Sequence, residues 1–133
     1  MGDKDYKFFS ILRKPEKEYK PLVLKKKNGK IREIFAPSYR LKRIQRNILN
    51  KILLKYEVSP YAKAYIKTRR LYDNAEPHTN KKYILKLDIT DFFGSITFDM
   101  VLSTVFNKNY YPKSIGTALT TLCCYHGVLV QGA

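Results

Sequence analysis

Asn28-Gly29 is the feature that most narrows the folds open to this chain. Both residue types tolerate positive φ, and here they lie between two apolar runs, 22–24 and 31–35. That combination is the strongest short-range signal for a β-hairpin, expected over about 21–36. Ile31, Ile34 and Phe35 do not alternate strictly, so the register stays open. The hairpin is also basic, reading Lys25-Lys26-Lys27-Asn28-Gly29-Lys30-Ile31-Arg32 at its tip. Lysines act as point charges and Arg32 offers a planar fork for phosphate oxygens. The plainer alternative is a solvated turn whose lysines protect an edge strand.

Charge along the rest of the chain has the same lean. Residues 1–70 carry 21 basic and 6 acidic side chains, whereas 71–133 carry 5 of each, so the net charge of +15 belongs to the first half. Such asymmetry suggests a lobe that binds a polyanion beside one with other work. Nucleic acid is the leading partner, because Lys and Arg gain affinity by releasing counterions from phosphates. A membrane surface is disfavoured, since no basic helix carries a large bare apolar face. No apolar run approaches the roughly 20 residues of a membrane span, and the N-terminus has no secretory apolar region. The 44% hydrophobic content is too high for a disordered tail. Cys123 and Cys124 are adjacent and have only His78 and His126 for company, which excludes a disulfide scaffold or zinc-finger spacing. A single soluble intracellular domain is expected.

Around the hairpin, a short N-terminal helix should end before Pro15. Ser38 should cap an amphipathic helix over about 38–56, with Leu41, Ile44, Ile48, Leu49, Ile52, Leu53 and Tyr56 on its apolar face. Residues 57–82 lack periodicity and read as a long irregular segment with a short helix near 71–76; loops of that length are usually functional. Residues 83–89 look like a buried strand running into an acidic turn. Helices are expected over about 97–107, capped by Thr97, and about 114–125, capped by Ser114 and stopped by Gly127. A further strand should begin at Val128.

The segment Leu87-Asp88-Ile89-Thr90-Asp91-Phe92-Phe93 carries the clearest chemistry. An apolar strand ending in Asp, with a second Asp three residues on, suits metal-assisted phosphoryl transfer, because Mg²⁺ prefers oxygen ligands and brings phosphates with it. Taken alone, the segment fits an ordinary strand-end turn with core phenylalanines just as readily. A phosphate-grasping hairpin upstream of a metal-holding acid is nevertheless the division of labour of a nucleotidyl transferase.

The order KKNGKIR, Pro37, the 41–46 helix, LDITDFFGSI and VLVQGA resembles that of bacterial retron-type reverse transcriptases, and Asn74-Ala-Glu-Pro-His78 matches their Asn-Ala-x-x-His signature. The resemblance covers nearly all of the chain from about residue 20. It implies an α+β fold, with a fingers subdomain over 1–82 and the first part of a palm over 83–133 whose antiparallel sheet is incomplete. It implies RNA-directed DNA synthesis with two Mg²⁺ ions, deoxynucleoside triphosphates, template RNA and an RNA/DNA primer-template, in a bacterial cytoplasm, with antiviral defence as one setting. By the same resemblance Asp88 is the first catalytic aspartate and binds metal together with the Ile89 carbonyl. Lys26 and Arg32 close over the triphosphate, Asp91 and Phe92 line its pocket, Phe93 rejects a 2′-hydroxyl, and Gln131 contacts the nucleotide or templating base. Arg40, Lys42, Arg43 and Arg46 hold RNA through its phosphates, and Asn74 and His78 touch structured RNA.

Gly94 stands where retron enzymes commonly carry Pro, and Tyr65 and Thr68 stand where Phe and Gly are usual. The family's Tyr-x-Asp-Asp aspartates have no counterpart among these residues. The expectation is therefore weak Mg²⁺ binding, no polymerisation by the 133 residues alone and self-association through uncovered apolar surface. Two alternatives stand beside this reading, a non-catalytic RNA-binding module and a group II intron-type reverse transcriptase. An RNA-dependent RNA polymerase is disfavoured by the bulk of Phe93.

Overall fold

A computed structural model describes residues 3–25, 29 and 31–131. Helix α1 (Asp3–Arg13) ends before Pro15, as the proline requires. A 3-10 turn at Pro15–Glu18 then leads into β1 (Tyr19–Lys25), which pairs antiparallel with β2 (Ile31–Pro37). The ladder runs from Tyr19↔Pro37 to Lys25↔Ile31, and Gly29 between them has φ of +78°. Only the root of this ribbon is packed: Tyr19 is buried and Phe35 half-buried, while Leu22, Val23, Leu24 and Ile31 are exposed. Beyond this root the two paired strands stand clear of the core.

Ser38 caps α2 (Tyr39–Lys51) by accepting from the Leu41 N–H at 3.2 Å, and its own hydroxyl donates to the Glu18 carboxylate. The cap thereby ties the helix start to the ribbon root, where the Ser38 N–H also meets the Glu18 carbonyl at 2.6 Å. The expected continuation of the helix to residue 56 stops short. Ile52 closes α2, and one 3-10 turn (Leu53–Lys55) keeps Leu53 against the core while the Tyr56 and Tyr111 hydroxyls meet at 2.7 Å.

After residues 57–70, which contain turns but no helix or strand, come α3 (Leu71–Ala75) and a 3-10 turn at Glu76–His78. The strand expected over 83–89 is not formed. These residues have no strand partner among the described residues, and Tyr83, Leu85 and Leu87 are each 82% exposed. Apolar, β-prone side chains favour an extended backbone, but a strand exists only when a neighbour takes its N–H and C=O groups.

The remaining elements are α4 (Phe92–Ser95), α5 (Phe98–Thr104) and α6 (Lys113–Cys123), followed by the minimal hairpin of β3 (Cys124–Tyr125) and β4 (Val128–Leu129). Thr97 caps α5 as expected, accepting from the Met100 N–H at 3.3 Å. Helix α5 ends at Thr104 rather than near 107, with Val105 as its C-cap. Pro112, not Ser114, precedes the first turn of α6. Gly127 is not the stop of α6. The helix ends because Cys124 turns extended to pair with Leu129, and Gly127 (φ +80°) instead forms the β3–β4 turn together with His126 (φ +49°).

Helices α1, α2 and α5 all pack on α6. Ile11, Leu41, Ile48, Val101, Phe106 and Leu122 are buried with Tyr19, Cys123, Cys124 and Val130 in one core. Leu41 and Ile48 come from the expected face of α2, whereas Leu49 and Tyr56 are exposed. Burial pushes the Cys123 thiol up to about 12 and that of Cys124 to about 11, consistent with inert core filling. One buried polar group joins the ribbon to the helices. Gln45 Nε2 donates to the Tyr19 hydroxyl at 3.2 Å and to the Leu122 carbonyl at 2.9 Å. Its Oε1 has no partner among the described residues. The result is an α+β arrangement with two small antiparallel sheets. Among the described residues, no helix is long and apolar enough to cross a membrane.

Candidate nucleotide site

A cavity of about 220 Å³ opens where the ribbon root, the turn into α4 and the β3–β4 hairpin meet. Arg32 and Phe35 reach it from β2, Asp91, Phe93 and Gly94 from the turn, and Tyr125, His126 and Gln131 from the hairpin. Each wall is fixed by its own local bonding. The Phe98 N–H donates to the Gly127 carbonyl at 2.8 Å and the Leu129 N–H to the Ile96 carbonyl at 2.9 Å, which stitches β4 to the 91–97 segment. The Val130 N–H meets the Cys123 carbonyl at 3.3 Å, setting the direction of the chain into Gln131. On the ribbon side, Tyr125 lies between Tyr19 and Phe35, with ring centroids 4.8 and 4.6 Å away. Such tilted aromatic pairs add to the area they bury.

Asp91 is held in the left-handed region at φ +47° ahead of α4, and its carbonyl accepts from the Ser95 N–H at 2.9 Å. A side chain on Gly94 would overlap the Asp91 carboxylate, so the carboxylate folds into the space that the glycine leaves. Phe92 and Phe93 meet edge to face at 5.3 Å, and of the two it is Phe93 that lines the cavity.

Four residues expected at a nucleotide site, Arg32, Asp91, Phe93 and Gln131, therefore line one cavity. Phe92 is 47% exposed and lies outside the lining, and Lys26 falls outside the described residues. Asp88 and Ile89 are exposed on the unpaired stretch just before the turn and do not line the cavity. His126 and Tyr125 were given no role by the sequence. Their signal was the His126-Gly127 pair, whose positive φ values suit a two-residue hairpin turn.

Along α2, Arg40, Arg43 and Arg46 are exposed and Lys42 half-buried, clear of the face that carries Leu41, Gln45 and Ile48. Asn74 and His78 are exposed on α3 and the turn after it. Asn74 lines a second hollow, away from the first, with Lys63, Arg69 and Arg70.

For Mg²⁺ the donors do not make a set. Among the described residues no three His, Cys, Asp or Glu side chains come together as a metal site. Two-metal chemistry needs several carboxylates round cations about 3.5–4 Å apart.

No family model matches the sequence. Individual proteins do. The retron Ec86 reverse transcriptase of Escherichia coli is 38% identical over 104 residues, which are 78% of this chain and 32% of that protein. The retron Mx65 reverse transcriptase of Myxococcus xanthus is 36% identical over 114 residues, 84% of this chain and 27% of its own length. The retron Se72 reverse transcriptase of Salmonella heidelberg is 34% identical over 106 residues, 80% and 28% respectively. The chain spans about a third or less of the length of these relatives. Three separate matches agree in name and each covers more than three-quarters of the chain: over the stretch it shares with them, this protein belongs to the retron-type reverse transcriptases.

Proposed function

We propose that this chain supplies the nucleotide-receiving wall of an RNA-directed DNA polymerase, with residues 1–82 as fingers and 83–133 as the first part of a palm. The observation that carries the reading is the meeting of Arg32, Asp91, Phe93 and Gln131, far apart in sequence, round one cavity. A guanidinium on a projecting ribbon can clamp phosphate oxygens bidentately, and positioning of that kind is most of what phosphoryl transfer asks of a protein. Lys26, next after β1 in the sequence, is assigned as a second cation. Phe93 presents a flat apolar surface where a deoxyribose fits and a 2′-hydroxyl would be desolvated without a partner. Gln131 offers an amide donor and acceptor to the base or sugar. Asp91 borders the triphosphate, Phe92 backs Phe93 from outside the cavity, and the exposed arginines of α2, with Lys42, hold template RNA through its phosphates.

Asp88 and the Ile89 carbonyl are assigned to Mg²⁺. These residues do not complete a metal site, so metal-dependent chemistry requires carboxylates beyond the described residues. Titration of the chain with a fluorescent deoxynucleoside triphosphate tests the site. Arg32→Ala should weaken binding about tenfold, as loss of a charge-assisted hydrogen bond would. Phe93→Ala should narrow the preference for deoxy- over ribonucleotides. Binding that neither substitution alters would refute the assignment.

A second reading, an RNA-binding module without polymerase chemistry, is favoured by one observation: Asp88 lies outside the cavity lining. RNA-templated primer extension by a protein of the relatives' length separates the two. Synthesis lost in Asp88→Ala supports the polymerase, and no synthesis by the parent supports the module.

A further inference from the structure

The irregular segment between α2 and α3 holds a feature that the nucleotide cavity does not use. Lys63, Arg69, Arg70 and Asn74 line a hollow of about 430 Å³, completed by Ala64 and Leu71, and no acidic side chain lines it. The nearest acids in sequence have local duties. Asp73 accepts from the Arg70 backbone N–H at 2.6 Å, and Glu76 accepts from the Tyr72 hydroxyl at 3.4 Å. The three cations form no ion pair among the described residues.

Aromatic rings alternate with these charges along the chain. Tyr61 is 89% exposed and Tyr65 fully exposed, so neither ring is part of the core. Tyr65 also sits at φ +62°, a left-handed conformation that is a genuine outlier for a bulky residue. Short local bonds hold the backbone on either side. The Ala62 N–H meets the Ser59 carbonyl and the Arg69 N–H the Ile66 carbonyl, each at 3.0 Å. A solvent-facing ring in a strained backbone, beside a concave cluster of cations, is the composition of a single-strand site: cations track the phosphates and flat rings receive unpaired bases.

We propose that residues 61–74 bind an unpaired nucleic-acid strand, with its phosphates in the hollow lined by Lys63, Arg69 and Arg70 and its bases stacked on Tyr61 and Tyr65. The proposal leans on the polymerase reading only for the origin of the strand, as RNA template or DNA product, and the two fail separately. Variants in 61–74 leave nucleotide titration at Arg32 unchanged, and Arg32→Ala leaves strand binding here unchanged.

The test is fluorescence anisotropy of the 133-residue chain with a labelled, unstructured RNA 12-mer, the same sequence as DNA, and the RNA annealed to its complement, each over a salt series. Arg69→Glu/Arg70→Glu should weaken RNA 12-mer binding at least tenfold and lower the slope of log affinity against log salt by about 1–2. Tyr61→Ala/Tyr65→Ala should weaken it about tenfold with the slope unchanged, because stacking releases no counterions. Lys108→Glu, a charge change on a different surface, should do neither. Preference for the RNA 12-mer assigns the site to template, and equal or tighter DNA binding assigns it to either strand or to product. Parent-like binding by both double variants overturns the proposal. So does equal sensitivity of the duplex to the tyrosine changes, or displacement of the 12-mer by poly-glutamate at matched charge.

Discussion

The β1–β2 ribbon and residues 83–89 begin from the same local preference and end differently. Each is an apolar, β-prone stretch flanked by basic residues. The ribbon pairs along seven positions although four of its large apolar side chains face solvent. Residues 83–89 are as apolar and pair with nothing among the described residues. Burial is therefore not what separates them. The ribbon holds both halves of its ladder within one turn's reach, so closing it costs little chain entropy. Residues 83–89 have no complementary strand within one turn's reach among the described residues. A hairpin brings its own partner, whereas a lone apolar stretch does not, and β propensity alone leaves it unpaired.

The comparison can be broken most directly at the ribbon root. Tyr19→Ala removes the ring that seats the hairpin on Tyr125 and deprives Gln45 of one hydrogen bond, and it should cost about 3–5 kcal/mol in urea unfolding. A loss below about 1 kcal/mol would mean that the ribbon stands without its root.

Alkaline pH gives a smaller effect on the same buried seam. The Cys123 thiol is raised by burial from 9.0 to about 12. Between those values the unfolded chain gives up a proton that the folded chain retains. Stability is thus complete below pH 9 and falls progressively from there toward pH 12. The midpoint of thermal unfolding should be lower at pH 10.5 than at pH 8, and Cys123→Ala should flatten that slope. An unchanged slope in the variant would remove Cys123 as its source.

The smallest change is expected on the unpaired side. Leu85→Ser and Leu87→Ser should each alter stability by no more than about 0.5 kcal/mol, because both side chains are exposed. A loss of about 2 kcal/mol or more would show that the segment is covered in solution, and sedimentation would then show whether a second copy covers it.

Where a residue acts on its immediate neighbours, the sequence was a good guide, the Ser114 cap excepted. The hairpin, the Ser38 and Thr97 caps and the helix end before Pro15 all follow from turn chemistry, capping or ring geometry within a few positions. Where an outcome depends on distant partners, the sequence was silent or misleading. Gln45 reads as one more polar residue on a basic helix, and only the approach of Tyr19 and the Leu122 carbonyl makes it a buried linker. Gly127 fits a helix stop and a hairpin turn equally well until Cys124 finds Leu129. The cavity divides in the same way. Arg32, Asp91, Phe93 and Gln131 were legible through family order, but Tyr125 and His126 join them only because the short hairpin folds back beside the ribbon.

Gly94 gives the cavity an adjustable part. Since the Asp91 carboxylate occupies the volume that any larger residue at 94 would claim, the two cannot both be accommodated as they stand. The obstacle is the Asp91 carboxyl group rather than backbone, so a larger residue at 94 has to displace that acid first. On the proposed reading of this recess as a nucleotide site, the missing methyl at 94 is what lets the acid stay folded back from the space that Arg32 also lines.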